Sequence, residues 1–372
     1  MRIYGLSIGI ALMLTGLLPA YGGQQESAKD FEHEARLKFS SQISFGDSLT
    51  DVGSYAVGTV AALGGGQFTV NSASSKNWTA WMAAQLGLPA PCAAQTGLDG
   101  SAAQGFSVMP PVNHPGCTSY AQGGARVTHP VGIGNKLTGG ANVALGFLTV
   151  PVAQQVQNHL ASSGGKFKDD EIVFVLAGAN DVFFQLGLLQ VAATNPDLAL
   201  AAIATAASEL ATTVKTQIVA KGAKHVVVVN LPDITITPFS TMLDASARNL
   251  LDAMVRTFNY RLGLGLADSE HVLMVDAYAD SRNQYINPTQ YGLNNVTDTA
   301  CDLTPAKNPL GSSLICTANN LIPGATEHYM FADRLHPTPY GNWLLARLVT
   351  KEMITKGWRW KKPHMQGRNK DF

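Results

Sequence analysis

The chain has 372 residues, of which 46% are hydrophobic and only 14% are charged, so it can bury a large core and is not extensively disordered. Its 26 Lys and Arg residues balance 26 Asp and Glu residues, and the formal net charge is zero. This balance argues against a nucleic-acid partner, because such a protein needs a basic face to neutralise phosphates.

The first 22 residues have the pattern of a secretory signal peptide. Arg2 precedes an apolar run from Ile3 to Ala20, and a small residue follows at Gly22. A basic start, a short apolar run and small residues after it are typical of a cleaved export signal. We therefore expect residues 1–22 to be removed and the mature protein to be secreted or periplasmic. An uncleaved membrane anchor is the alternative.

Strands and helices alternate along the rest of the chain. Short apolar runs predict buried strands at residues 42–45, 171–177, 225–230 and 271–276. Apolar periodicity and capping residues predict helices at residues 77–87, 150–162, 196–221, 244–266 and 340–356. This alternation predicts an α/β fold, a three-layer α/β/α sandwich around a mostly parallel sheet. We place a single domain at residues 40–358 and a basic tail at residues 359–372.

The four cysteines predict two disulfide bonds. An even number of cysteines in an exported chain favours disulfides over free thiols, which remain the alternative. Proximity in the sequence favours Cys92–Cys117 and Cys301–Cys316 among the three possible pairings. Zinc is not expected, because the chain contains no C-x-x-C pair.

Two segments far apart in the chain contain the groups of a nucleophilic hydrolase. Ser48 lies in a Gly-Asp-Ser-Leu segment that follows the first predicted strand, and Asp333 precedes His336 by three residues near the other end. A hydroxyl, an imidazole and a carboxylate can act as nucleophile, general base and orienting acid. Taken one at a time, Ser48 could instead cap a helix, and Asp333 with His336 could be an ordinary loop pair.

Four segments together resemble the conserved blocks of the SGNH/GDSL hydrolase superfamily. The blocks match the Gly-Asp-Ser-Leu of Ser48, the pair Gly123 and Gly124, the Gly-Ala-Asn-Asp of Asn180, and the Asp-x-x-His that ends at His336. They occur in the order of the family and span most of the chain after the signal peptide. The chain is similar to the larger exported bacterial lipases and acylhydrolases of that superfamily.

The resemblance implies a flavodoxin-like fold and a catalytic triad. Ser48 would be the nucleophile and His336 the base. Asp333 would hold the imidazole in the correct tautomer and stabilise the imidazolium that forms.

An oxyanion hole is implied as well. Its donors would be the backbone amide of Ser48, the amide of one glycine and the side chain of Asn180. Gly124 fits the family's spacing from the preceding strand better than Gly123, and both remain open at this point.

The resemblance implies an exported serine esterase or lipase that hydrolyses fatty-acyl esters without a metal or organic cofactor. The alternatives are a lysophospholipase or acyltransferase, a carbohydrate acetylesterase, and a catalytically silent binding protein on the same fold. We expect a monomer whose partner is a small-molecule or lipid ester, with transient contact to a lipid surface. Residues 182–184 and 329–331 are expected to line an acyl pocket or to be ordinary core. Residues 53–115 and 190–214 could form its entrance or be scaffold.

Overall fold

The computed structural model describes residues 37–106, 108–138 and 144–360, and these belong to one compact unit. The predicted signal peptide and most of the predicted basic tail lie outside the described residues, so both remain predictions. Where the described chain enters and leaves the domain, its two ends lie side by side. The Leu37 amide donates a hydrogen bond to the Arg359 carbonyl oxygen at 2.7 Å, and Leu37 bridges to Trp360.

Strands and helices alternate over most of the described chain. The strands are β1 (Ser41–Gly46), β2 (Gln95–Asp99), β3 (Val108–Asn113), β4 (Glu171–Leu176), β5 (His225–Val229), β6 (Val272–Val275), β7 (Asn295–Thr299) and β8 (Tyr329–Phe331). The helices are α1 (Gly58–Ala62), α2 (Trp78–Leu86), α3 (Val152–Ser162), α4 (Ala179–Gln190), α5 (Pro196–Thr213), α6 (Ala245–Leu266), α7 (Ala277–Ile286) and α8 (Pro339–Thr355).

The central sheet is parallel, in the order β1-β4-β5-β6, and helices cover both of its faces. Side chains of β4 alternate between the two faces, as the pleat of a strand requires. Ile172, Phe174 and Leu176 share a core with α2 and α8, whereas Val173 and Val175 share one with α3, α5 and α6. Burial on both faces explains the continuous apolar runs of these strands. The predicted three-layer α/β/α sandwich is therefore confirmed.

Capping residues set the predicted ends of two helices. Asn77 begins α2 by accepting a hydrogen bond from the Ala80 amide, and Gly87 ends that helix in the left-handed conformation. Asp244 begins α6 in the same way by accepting from the Ala247 amide. Both helices were predicted from these residues.

The alanine-rich segment predicted as one helix is α5 continued by a π-helical turn at Val214–Ile218 and a 3₁₀ turn at Val219–Lys221. By length and composition alone this segment could cross a membrane. However, Ile203 and Leu210 are fully buried in the core beneath the sheet, and α5 packs along α6. Residues 196–214 are therefore scaffold of the domain, whereas Gln190, the first residue of the expected entrance segment, borders the main cavity.

Three helices, α1, α4 and α7, and two small sheets differ from the sequence expectation. Helix α4 has no side-chain cap, because it begins after Gly178 in the left-handed conformation, and α7 is too polar to show an apolar stripe. Many Gly and Pro residues at 90–147 predict loops with at most one strand, whereas this region contains an antiparallel pair, β2 with β3. Strands β7 and β8 form a second, parallel pair beside the central sheet.

The two predicted disulfide bonds are confirmed, Cys92 with Cys117 and Cys301 with Cys316. Each closes a segment outside the central sheet. Disulfide bonds persist in oxidising compartments, so this pairing fits an extracellular or periplasmic environment.

Candidate active site

The carboxyl ends of two neighbouring strands place two of the predicted site residues close together. Strands β1 and β4 pair in parallel, and Gly46 at the end of β1 lies opposite Leu176 at the end of β4. Ser48 follows Gly46 by two residues, and Asn180 lies in the first turn of α4 just after β4. Loops at this edge of a parallel sheet are where reactive side chains collect.

Gly46 lets the chain turn tightly into the Ser48 loop. A Cβ atom at this position would lie 2.2 Å from the Leu176 carbonyl oxygen, so no larger residue fits. Gln155 of α3, which is only 1% exposed, donates to the Gly46 carbonyl at 2.8 Å and accepts from its amide at 2.9 Å. The sequence analysis missed Gln155, because a lone glutamine on an amphipathic helix gives no signal of its role.

Ser48, His336 and Asp333 form one chain of hydrogen bonds, although Ser48 and His336 are 288 positions apart in the sequence. The Ser48 Oγ lies 2.9 Å from His336 Nε2. On the other side of the imidazole, Nδ1 lies 2.9 Å and 3.0 Å from the two carboxylate oxygens of Asp333. The structure thus brings together the three residues predicted to form a triad.

The loop after β8 explains why the acid and the base are three residues apart. Asp333 Oδ1 accepts hydrogen bonds from the amides of Leu335 and His336, each at 2.8 Å, and so closes the turn that presents the imidazole. Its Oδ2 accepts from the Ser313 amide at 2.7 Å. The sequence analysis missed Ser313, which contributes only its backbone. The sole hint of it was its position inside the Cys301–Cys316 loop.

Electrostatics favour a charged Asp333 and a His336 that is more basic than an ordinary imidazole. Burial alone would raise the pKa of the Asp333 carboxyl group, but the charge and hydrogen bond of His336 outweigh it and hold that pKa well below its usual value. Burial would likewise lower the pKa of His336, but the Asp333 carboxylate raises it above its usual value, with a further contribution from Asp47. Burial raises the pKa of Asp47 itself to about 7.

The glycine pair offers one free amide to the site. The Gly123 amide donates to Asp51 Oδ2 at 2.9 Å, so it is already occupied. Within the described part of the chain no group accepts from the Gly124 amide, and Gly124 borders the same cavity as Ser48. Gly124 has φ +80°, and a Cβ there would lie 2.0 Å from the Ile133 carbonyl oxygen. Only glycine therefore suits this position.

Asn180 points into the same site and is tied to the glycine loop. Its Nδ2 donates to the Ala125 carbonyl at 2.9 Å, which leaves the second hydrogen of the amide for a ligand. The neighbouring Asp181 accepts from Arg126 Nε and from the Val127 amide, both at 3.0 Å. These contacts hold the start of α4 against the loop that carries Gly124.

All five predicted site residues border one cavity of about 640 Å³. Its wall is mainly apolar, and the aromatic and aliphatic side chains include Phe68, Phe106, Ile133, Leu145, Phe147, Phe183, Leu186, Ile234, Phe239, Met330 and Phe331. The Phe68 ring lies 4.9 Å from the imidazole of His336, centroid to centroid. Residues 53–115 thus contribute to the wall through Phe68 and Phe106.

The expected acyl-pocket segments are only partly in the wall. Phe183, Met330 and Phe331 border the cavity as predicted. Val182 is buried in the core instead, and Phe184 lies 4.1 Å from the Arg126 guanidinium on the far side of α4. One helical turn cannot point three successive side chains the same way, which accounts for the difference.

Among the residues that the structure describes, no cluster of three or more His, Cys, Asp or Glu side chains could hold a metal ion.

A serine, a histidine and an aspartate linked in this order, at the carboxyl edge of a parallel sheet, have the geometry of a serine-hydrolase triad. A family model described as GDSL-like Lipase/Acylhydrolase matches residues 43–349. The chain therefore belongs to this family of hydrolases, which act on ester and acyl groups. No curated protein matches the chain significantly.

We predict that the Cys301–Cys316 bond supports the site as well as the fold. Replacing both cysteines by alanine should lower the free energy of unfolding by about 3 kcal/mol, as expected for a loop of this length. It should also lower kcat about tenfold, because the Ser313 amide would no longer be fixed against the charged Asp333. Denaturant unfolding and turnover of a nitrophenyl ester measure the two effects.

The other disulfide is the matched control. Replacing Cys92 and Cys117 by alanine should destabilise the protein by a similar amount, but kcat should stay near wild type in the folded protein. Equal kcat values for the two double variants would contradict a link between the Cys301–Cys316 loop and the site.

The raised pKa of His336 predicts the acid side of the pH profile. A general base must be neutral, so kcat/KM should fall as the pH drops through a midpoint above the usual imidazole value of about 6.5. Asp47→Asn removes a negative charge that helps to raise this pKa. The midpoint should therefore move to lower pH in that variant, as measured by kcat/KM between pH 4 and 9, roughly the range that brackets both groups.

Asp298→Asn provides the comparison, because Asp298 is exposed on β7 and away from the cavity. Its profile should overlay that of the wild type. An unmoved midpoint in Asp47→Asn would show that the Asp47 charge does not act on His336.

Proposed function

We propose that this protein is an exported serine esterase or lipase that hydrolyses fatty-acyl esters. The observation that carries the proposal is the hydrogen bond of 2.9 Å between Ser48 Oγ and His336 Nε2, at a point where both residues border a large apolar cavity. A nucleophile within hydrogen-bond reach of an oriented base is the signature of covalent acyl transfer. An apolar cavity beside it suits the hydrocarbon chain of the acyl group.

In the first half-reaction, His336 Nε2 takes the hydroxyl proton while Ser48 Oγ attacks the ester carbonyl carbon. Asp333 stabilises the imidazolium that forms. The negative charge that develops on the carbonyl oxygen would be met by the amides of Ser48 and Gly124 and by Nδ2 of Asn180. Such donors stabilise the transition state because they are already oriented before the charge appears.

The first half-reaction ends when the imidazolium of His336 gives its proton to the leaving alcohol as the ester bond breaks, and the acyl group remains on Ser48. In the second half-reaction His336 takes a proton from a water molecule that attacks the carbonyl carbon of the acyl-enzyme, which forms a second tetrahedral intermediate. As this intermediate collapses, His336 returns the proton to Ser48 Oγ and the carboxylic acid is released.

The size and lining of the cavity support a fatty-acyl substrate over an acetylated carbohydrate. A cavity of about 640 Å³ is as large as the pockets that hold whole ligands, whereas an acetyl group would leave most of it unfilled. Its apolar wall would gain little from sugar hydroxyl groups. The two disulfide bonds and the signal-peptide pattern of residues 1–22 support the proposal that the protein acts outside the reducing cytoplasm.

Removing the nucleophile tests the proposal directly. Ser48→Ala should keep the fold and lose on the order of 10⁴-fold or more in kcat, because the hydroxyl that forms the acyl-enzyme is gone. A fluorophosphonate probe should label the wild type at Ser48 and leave the variant unlabelled. Ser208→Ala, at an exposed position of α5, should retain both activity and labelling. Substantial activity in Ser48→Ala, or labelling of another residue in the wild type, would refute the proposal.

A series of nitrophenyl esters from acetate to laurate tests the acyl pocket. Each methylene that enters the cavity should add about 0.8 kcal/mol of binding, or roughly fourfold in kcat/KM, until the cavity is full. Gly187 of α4 borders the cavity, and a Cβ there would meet no atom within 4 Å. Gly187→Leu should therefore fill part of the cavity and lower kcat/KM for the long esters, while acetate hydrolysis is unchanged.

Gly263→Leu is the matched control, since Gly263 of α6 has equally open surroundings but does not border the cavity. It should leave the chain-length profile unaltered. A wild-type enzyme that prefers acetate to all longer esters would overturn the fatty-acyl assignment.

A further inference from the structure

We infer that Asp51 and Tyr55 are positioning residues that fix the peptide between Gly123 and Gly124, so that the Gly124 amide faces the developing oxyanion. The inference rests on the proposed function and adds two residues to it. Neither Asp51 nor Tyr55 borders the cavity, so neither can touch the substrate. Both contact the glycine pair, and through it they reach the oxyanion site.

Asp51 joins the nucleophile loop to the glycine loop. Its side chain is almost wholly buried, at 1% exposure, and it lies three residues after Ser48. Oδ1 accepts from the amides of Gly53 and Ser54 at 2.8 Å and 2.7 Å, and from the Ser54 hydroxyl at 2.8 Å. Oδ2 accepts from the Gly123 amide at 2.9 Å. Burying a carboxyl group is unfavourable unless its oxygens accept hydrogen bonds. These contacts therefore constrain the backbone of the nucleophile loop and of the glycine loop together.

Tyr55 holds the same glycine from the other side. Its hydroxyl donates to the Gly123 carbonyl oxygen at 2.7 Å. The ring is fully buried and stacks on Phe147 with centroids 4.3 Å apart, which leaves the hydroxyl little freedom. Burial, together with the nearby Asp51 charge, raises the pKa of Tyr55 well above its usual value. The phenol therefore stays protonated and remains a donor.

Peptide geometry turns these two contacts into an orientation for Gly124. In a trans peptide unit the carbonyl oxygen and the next amide hydrogen point in opposite directions. Because Tyr55 holds the Gly123 carbonyl oxygen, the Gly124 N–H must point away from Tyr55. Gly124 borders the cavity beside Ser48, and among the described residues no acceptor takes its hydrogen bond. Asp51 fixes the amide end of Gly123 and Tyr55 fixes its carbonyl end.

The first test is Tyr55→Phe, which removes one oxygen atom and keeps the stacked ring. The freed peptide should sample other orientations, so kcat should fall on the order of tenfold to a hundredfold, less than for complete loss of a donor. KM should change by no more than about twofold, because the oxyanion exists only after attack. Inhibition by an alkyl trifluoromethyl ketone, whose adduct with Ser48 carries an oxyanion, should weaken by the same factor as kcat/KM.

Asp51→Asn is the second variant and removes a different contact. The new amide can still accept from Gly53 and Ser54, but its NH₂ group would face the Gly123 N–H, donor against donor. The loss in kcat and in inhibitor affinity should match Tyr55→Phe in direction. If Tyr55→Phe proves too unstable to purify, kcat and inhibitor affinity of Asp51→Asn test the positioning role instead.

Tyr340→Phe is the matched control. The Tyr340 hydroxyl also donates to a backbone carbonyl, that of Tyr291 at 2.8 Å, but it lies on α8 and outside the cavity. Its loss should leave kcat and inhibitor affinity at the wild-type values. A general effect of removing a tyrosine hydroxyl that donates to a backbone carbonyl would appear here as well.

The outcomes separate this inference from the proposed function. Wild-type kcat and inhibitor affinity in folded Tyr55→Phe or in folded Asp51→Asn would overturn the positioning role, even though Ser48 remained essential. A rise in KM with unchanged kcat would overturn it too, since that result means altered ground-state binding. Activity that survives Ser48→Ala would instead overturn the proposed function itself.

Discussion

A buried carboxylate that stays ionised sets most of the geometry around Ser48. Asp333 keeps its charge because three backbone amides and the imidazole of His336 donate to it. The amides close the loop, the loop presents the imidazole, and the imidazole reaches Ser48 from the far end of the chain. Without the carboxylate, the loop would lose its closure and the base its orientation. One group thus supplies local structure and chemistry together.

Buried carboxyl groups also organise the glycine loop, although burial raises the pKa of Asp51 and of Asp181, in contrast to that of Asp333. Asp51 and Asp181 are also buried, and each accepts hydrogen bonds from backbone amides of segments distant in sequence. Burying a carboxylate is unfavourable unless its oxygens find donors, so such a residue tolerates few arrangements of the chain near it. Three buried carboxylates therefore define three irregular loops that have no ladder of strand or helix hydrogen bonds. Irregular loops held in this way can still place atoms accurately enough for catalysis.

The sequence was informative where the signal is local. Buried strands such as β5 and capped helices such as α6 lie where apolar runs and Asp244 predict them. The four blocks also predicted which residues would meet, because Ser48 and Asn180 follow adjacent parallel strands. Helix α4 escaped prediction because one of its faces lines a cavity instead of packing in a core. Gln155 and Tyr55 escaped because their side chains contact backbone atoms far along the chain. Ser313 escaped because its backbone amide contacts a distant carboxylate. Such contacts leave no pattern in a single sequence.

The side-by-side ends of the domain have a practical consequence. Leu37 leads into the amino end of β1, whereas Ser48 follows its carboxyl end, so the chain enters and leaves at the edge of the sheet remote from the cavity. A surface tether, an affinity tag or a fused carrier joined at Leu37 or Trp360 would therefore be attached at the edge of the sheet opposite the Ser48 loop. Such an attachment suits oriented immobilisation. Joining Leu37 to Trp360 by a short linker would also permit circular permutants with new termini elsewhere.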